Sequence, residues 1–180
     1  TLELVRGDWR TYTQDLSNPL VPPKSDGQIV VSSVNIEENG QRQPVNYVLP
    51  PGISRMFDSS QPQLLQQNEQ ALSMKITDLS PADARAVYKS TAYDLRRYKR
   101  LQMFAHAEAP IDESKTLSNG DFSVFIRLGS DYKNNYYEYE VPLDLTPHST
   151  ILYNTNNSAD QEKVWPLNNT LNFKLETPVS

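Results

Sequence analysis

The chain has 180 residues, no cysteine, a formal charge of −5 and 37% hydrophobic residues, with thirteen prolines against six glycines. Such a length fits one domain that buries enough apolar surface to fold without disulfides, and the apolar content, with ten tyrosines, excludes a disordered chain. The acidic balance argues against nucleic acid, which needs a cationic stripe to displace phosphate counterions, and no apolar run approaches the roughly 20 residues of a membrane-spanning helix.

In chain order, Trp9, Thr11 and Thr13 belong to a predicted strand ending near Asp15, and Ile29 to Ile36 form another, closed by the turn signal Glu38-Asn39-Gly40. From Pro50 to Gln70 the pattern is not β. This glutamine-rich stretch reads as a long ordered loop in which Phe57, Leu64 and Leu65 require burial. Leu72, Met74 and Ile76 alternate with Ser73, Lys75 and Thr77, the period-2 signature of a strand. Ser80-Pro81-Ala82-Asp83 supplies an N-cap and a proline at the first helical position, so a short helix is expected toward Ala86. The basic residues Arg96, Arg97, Lys99 and Arg100, placed on a strand, alternate between faces and build no single patch. Leu101, Met103, Ala105 and Ala107 continue the alternation.

The strongest local pattern follows. Phe122, Val124, Ile126 and Leu128 form one apolar face, and Tyr137, Tyr139, Val141, Leu143 and Leu145 form another. Between them, residues Gly129 to Asn135 have turn composition, so the two runs predict a β-hairpin with those side chains pointing inward. Leu171, Phe173 and Leu175 close the chain as a last strand, alternating with Asn172, Lys174 and Glu176. Seven or more strands without intervening helices predict an all-β fold, an antiparallel β-sandwich with jelly-roll-like order, one short helix and one long ordered loop. No internal repeat and no linker is evident, so residues 1–180 read as one domain. Beginning at Thr1, the chain reads as a piece of a much larger exported protein whose targeting signals lie elsewhere.

Chemistry-bearing residues are sparse. Glu138 and Glu140 stand at i, i+2 on one strand face, near the carboxylate separation of a glycosidase, but acids are expected on any wet strand face. Asp112 and Glu113 precede Ser114 in a loop with nothing to pair them. His106 lies on the polar face of a predicted strand and His148 follows Pro147; with no G-x-S-x-G elbow and no cysteine, a hydrolytic triad has no parts. Two distant histidines do not make a transition-metal site, and neither a metal nor another cofactor is expected. Asp131, Asn134 and Asn135 offer oxygens of the kind calcium accepts, and they equally suit a plain hairpin loop. Tyr132 and Tyr136, at that loop, are the candidate exposed rings of a carbohydrate platform, whereas Tyr137 and Tyr139 fall on the core face.

Several blocks in fixed order carry a resemblance. They are Asn46-Tyr47-Val48-Leu49-Pro50-Pro51-Gly52-Ile53, then Leu64 to Ser73, Tyr98 to Glu108, Phe125 to Asp131, Asn135 to Leu143, and Val164-Trp165-Pro166. Together they resemble an internal soluble segment of the SprA/Sov family, very large outer-membrane translocon proteins of the type IX secretion system that are also tied to gliding motility. The matching blocks run from Asn46 to Trp165, and the first forty-odd residues match less clearly. The resemblance implies a cell-envelope protein at the outer membrane, on its periplasmic or extracellular side, serving protein transport through a giant barrel without catalytic residues or cofactors. The partners it implies are the remainder of the same protein, small barrel and plug proteins, and secreted cargo, with no nucleic acid and no metal. Within that reading the Pro50–Gln70 loop is the candidate interaction loop, through Arg55, Phe57 and Gln61. The alternative is a carbohydrate-binding β-sandwich module of an exported protein, through Tyr132 and Tyr136.

Overall fold

A computed structural model describes residues 9–16, 22, 26–57, 66–91, 94–111 and 116–175. Strands dominate: β1 (Arg10–Tyr12), β2 (Gln28–Asn35), β3 (Gln70–Thr77), β4 (Ala86–Tyr88), β5 (Arg100–Met103), β6 (Ser123–Gly129), β7 (Tyr136–Pro142) and β8 (Leu171–Lys174). Two short α-helices, α1 (Ile36–Asn39) and α2 (Ser158–Val164), and 3-10 turns at Leu95–Arg97 and Leu167–Asn169 interrupt them. The all-β antiparallel reading therefore holds. Among the described residues the strands pair two by two, as the ribbons β1-β4, β2-β3, β5-β8 and β6-β7. Contacts divide the chain into two compact units, one drawn from Thr1–Ser32, Leu72–Leu95 and Leu128–Tyr137, the other from Ser33–Ala71, Arg96–Arg127 and Glu138–Ser180.

In the first unit β1 and β4 pair antiparallel, with Tyr12 opposite Ala86 and Arg10 opposite Tyr88. This register sets Tyr12 diagonal to Tyr88, and the rings meet edge to face at 6.4 Å. Tyr132 joins them at 6.3 and 5.5 Å. The helix predicted from Ser80 is absent. Ala82 adopts φ 60°, a left-handed conformation that stops a helix in its first turn. Asp83 then accepts the Ala84 N–H and pairs with Arg85 at 2.9 Å, both side chains nearly covered. Arg85 Nε also donates to the Gly27 carbonyl at 2.7 Å. Satisfying a covered ion pair takes precedence over local helix propensity, because an unpaired charge there costs several kcal/mol, about 3–5 by analogy.

The second unit holds the core. Val45, Tyr47, Val48, Tyr153, Val164 and Trp165 are buried together, and Val34, Ile36, Ala71 and Phe104 pack against them. Most of these positions are irregular backbone rather than strand. Side chains hold that backbone in place of ladders. Asn46 Nδ2 donates to the Tyr153 carbonyl at 2.9 Å, and its Oδ1 accepts the Tyr153 N–H at 2.8 Å. Asn169 does the same to Asp144, accepting its N–H at 2.7 Å and donating to its carbonyl at 2.9 Å. Each asparagine imitates one rung of a β-ladder, so buried main chain is satisfied without a neighbouring strand. Trp165 is the hub: Tyr47, Phe104 and His106 meet its indole edge-on at 6.0, 6.4 and 5.8 Å, and Nε1 donates to the Val48 carbonyl at 2.9 Å.

Local signals account for the helices. Asn35 caps α1 by accepting the Glu38 N–H at 2.8 Å, Glu38 Oε2 accepts from the Asn35 side-chain Nδ2 at 2.8 Å, and the Asn35 backbone N–H donates to Asn39 Oδ1 at 2.9 Å. The turn signal after β2 is thus one helical turn, and a Cβ at Gly40 would meet the Ile36 carbonyl oxygen at 2.5 Å. Asn157 caps α2, accepting from Ala159 and Asp160. The predicted strand from Leu101 ends early, since β5 stops at Met103 and Ala105 and Ala107 lie in irregular chain. Arg97 ends a 3-10 turn, Lys99 lies outside any element, and only Arg100 enters β5, so these cations do not alternate along a strand.

The β6-β7 hairpin forms where the pattern predicts it, and Gly129 permits its tip: a Cβ there would meet the Asn135 carbonyl oxygen at 2.0 Å. Inward packing is only partial. Val141 is buried, Tyr139 stacks on Phe173 at 4.8 Å, and Val124, Ile126, Leu128 and Leu143 are half-buried. Tyr137, expected inside, is 77% exposed, and Phe122 precedes the strand and is partly exposed. A two-stranded ribbon hides its apolar face only where another element covers it. Tyr139 has Phe173, and no described ring meets Tyr137.

Candidate interaction surface

Pro50-Pro51-Gly52-Ile53 folds as a tight turn, with the Ile53 N–H donating to the Pro50 carbonyl at 3.0 Å and Gly52 at φ 77°. Proline before a left-handed glycine is the composition of a type II turn. Beyond it the chain runs out to Phe57 and returns at Gln66, where the two residues form an antiparallel bridge. The Gln67 N–H donates to the Met56 carbonyl at 2.7 Å, and the Ile36 N–H to the Glu69 carbonyl at 3.0 Å. Arg55 clamps this arrangement from its own side. Nε donates to the Gln67 carbonyl at 2.8 Å, and Nη2 to the Gln66 carbonyl at 3.2 Å and Glu37 Oε1 at 2.8 Å.

Among the described residues of this loop, 50–57 and 66–69, large apolar side chains face out. Met56 is 70% exposed, Phe57 56% and Ile53 40%. Gly52, Ile53, Ser54, Met56, Gln67, Asn68 and Glu69 line an open cavity of about 470 Å³ beside them. Two expectations change here. Phe57 is not buried, and Arg55 is not a free surface residue but the staple of the loop. Gln61, Leu64 and Leu65 lie outside the described residues. The block before the turn, Val45 to Val48 and Pro50, is core and not docking surface.

The other candidates resolve into internal contacts. Glu138 pairs with Arg127, and Glu140 accepts from the Ser123 hydroxyl, both across the hairpin. His106 Nδ1 lies 2.8 Å from the Val164 carbonyl oxygen and 3.1 Å from Thr146 Oγ1, and Nε2 lies 3.3 Å from Glu108. It occupies irregular chain against the core tryptophan, not the polar face of a strand. Arg42 grips Glu108 with both guanidinium nitrogens, at 2.5 and 2.8 Å. Burial works against the Glu108 charge, yet the hydrogen bonds from His106 and Arg42 and the Arg42 charge outweigh it and hold the carboxyl down at about 2. His148 Nε2 lies 2.8 Å from the Ala109 carbonyl oxygen. Asp112, Glu113 and Ser114 lie outside the described residues.

At the hairpin tip Asp131 Oδ1 accepts the N–H groups of Lys133, Asn134 and Asn135 at 2.9, 2.6 and 3.3 Å, and Oδ2 accepts from Asn135 Nδ2 at 2.6 Å. The Asn134 N–H foremost, with the other donors, holds this carboxyl well below the usual range. Both oxygens face donors of their own loop, which is not the arrangement of a cation cage. Among the described residues no group of three His, Cys, Asp or Glu could hold a metal ion. Tyr132, expected as an exposed ring, packs edge-on with Tyr12 and Tyr88, and Tyr136 is half-buried; neither forms an open platform.

Residues 1–179 match the SprA_N family, described as motility related/secretion protein. The chain belongs to that family. The match covers the first forty-odd residues as well as the blocks from Asn46 to Trp165. No curated protein matches the chain. For this SprA-family segment, no described helix is long and apolar enough to cross a membrane. The sequence pointed to the loop and to Phe57 within it, but not to Ile53 or Met56. Alternating glutamines and isolated Met56 and Phe57 give no periodicity from which facing can be read.

Proposed function

We propose that this chain is a non-enzymatic structural and interaction domain of a type IX secretion translocon at the outer membrane, serving protein export and gliding motility. The observation that carries the reading is the loop over residues 51–57 and 66–69: ordered by Arg55, it presents Ile53, Met56 and Phe57 beside an open cavity. Keeping large apolar side chains in water on a stapled loop costs free energy unless another surface covers them, and such patches mark protein contacts. Family membership in motility and secretion supplies the context. The partners that fit are the remainder of a larger translocon protein, its small barrel and plug proteins, or passing cargo. Glu138, Glu140, His106 and His148, weighed above as chemistry-bearing residues, engage groups of their own chain, in keeping with a role in contact rather than chemistry.

The test is Met56→Gln combined with Phe57→Gln in the full-length protein. The isolated chain should keep its stability within about 0.5 kcal/mol, as exposed substitutions do. Secretion and gliding should fall markedly in cells. Normal secretion with that variant would overturn the docking role.

A further inference from the structure

The β5-β8 ribbon carries a charge arrangement that folding alone does not call for. Its register sets Arg100 directly opposite Lys174 and Gln102 opposite Asn172, so all four share one face. The other face, with Leu101 opposite Phe173 and Met103 opposite Leu171, is the more covered one: Leu171 is fully buried, Leu101 and Phe173 are half-buried with Phe173 stacked on Tyr139, and Met103 alone is exposed. Arg100, Gln102, Asn172 and Lys174 are exposed, and Arg97 and Lys99, leading into β5, are exposed too. Like charges placed directly across a ladder destabilise the pair. No described acidic side chain forms an ion pair with Arg97, Lys99, Arg100 or Lys174. In a chain of net charge −5, four cations are thus gathered where they repel one another.

The backbone of the same ribbon adds a second requirement. Strands β5 and β8 pair only with each other among the described residues, and on β5, where Arg100 and Gln102 are exposed, no other described strand takes up the outer main-chain donors and acceptors. Lysines on an edge discourage pairing with neutral strands. The same charges favour a strand that carries acids. Nucleic acid and anionic lipid would meet the charges but leave the strand edge unmatched. An extended polypeptide answers both.

We infer that the outer edge of β5 is a docking site for an extended acidic polypeptide segment, whose main chain adds to the ribbon while an Asp or Glu side chain lies beside Arg100, in the same cross-strand row as Lys174, with Arg97 and Lys99 drawing it in. The occupant is recognised by its chemistry: extended, with a carboxylate in the Arg100–Lys174 row on the exposed face. This site is separate from the Met56–Phe57 loop and does not depend on that loop's role.

A fluorescein-labelled peptide alternating glutamate and valine, titrated with the whole chain and followed by anisotropy, is the probe. Binding should weaken by about tenfold in Arg100→Gln/Lys174→Gln, and the melting temperature of that variant should hold or rise, because a repulsion has been removed. The same peptide N-methylated at alternate residues should lose about tenfold, since its strand edge is blocked. A peptide alternating glutamine and valine should not bind. Should the ladder variant fail to fold, Arg97→Gln/Lys99→Gln, outside the ladder, should still weaken binding several-fold. Unchanged affinity in the variants, or equal binding of the N-methylated peptide, would overturn the proposal. So would single-stranded DNA or phosphatidylglycerol vesicles binding as tightly as the acidic peptide.

Discussion

The segment Val45 to Pro50 and the strand β3 invert the usual relation between regularity and burial. Residues 45–50 form no strand, yet Val45 and Val48 are almost completely buried and Asn46 grips Tyr153 by both amide atoms. Strand β3 alternates cleanly, yet its apolar residues Leu72, Met74 and Ile76 are 40%, 42% and 37% exposed. Period-2 patterning states that two faces differ. It does not state what lies over the apolar one. In irregular chain, burial depends on whether every peptide group finds a partner, and here asparagine side chains supply the partners that strands would otherwise provide.

This contrast can be broken at its centre first. Trp165→Ala removes the indole that three rings meet and leaves the Val48 carbonyl without its donor. The expected loss is about 3–5 kcal/mol, read from urea denaturation. A loss below about 1 kcal/mol would mean the tryptophan is not the hub.

The next effect is that of the asparagine clamps. Asn46→Ala strands both the N–H and the carbonyl of Tyr153 in a buried setting, and Asn169→Ala does so for Asp144. At about 1–3 kcal/mol for each of the two orphaned groups, either substitution should cost about 2–6 kcal/mol. Asn46→Asp separates the two bonds, since a carboxylate still accepts from the Tyr153 N–H but no longer donates to its carbonyl. It should remain below wild type in stability near neutral pH, as measured by equilibrium unfolding.

Acid stability sharpens the same region. The folded Glu108 carboxyl sits near 2, below its ordinary value of 4.5, so folding favours the ionised form. The sign follows from linkage: the contribution is fully present above about 4.5 and is lost as pH falls toward 2. Unfolding midpoints measured from pH 6 down to pH 2.5 should show this loss, and Glu108→Gln should flatten that part of the profile. An unchanged profile in the variant would remove Glu108 from the acid limb.

The smallest effect belongs to β3. Leu72→Thr, Met74→Thr and Ile76→Thr each leave the strand pattern intact and remove apolar atoms that are already in contact with water. Each should shift stability by less than about 1 kcal/mol, far below the Trp165 change. A cost comparable to Trp165→Ala would show that this face is covered in solution.

Sequence alone determined the strands with strong alternation, because side chains two apart necessarily share a face: β2, β3, the β6-β7 hairpin and β8 lie where the pattern puts them. It also carried the family, through ordered blocks such as Asn46 to Ile53. Tertiary structure decided which faces are covered. Tyr139 is half-buried because Phe173 reaches it from β8, and Tyr137, on the same face of the same strand, is left in water. It decided against the helix at Ser80, where the Asp83–Arg85 pair and the left-handed Ala82 outweigh an N-cap and a proline. It decided the candidate surfaces as well. The outward Met56 and Phe57 follow from Arg55 binding the carbonyls of residues 66 and 67, and the Arg100–Lys174 pair exists only through strand register. Both join residues distant along the chain, and local patterning contains no information about such distances.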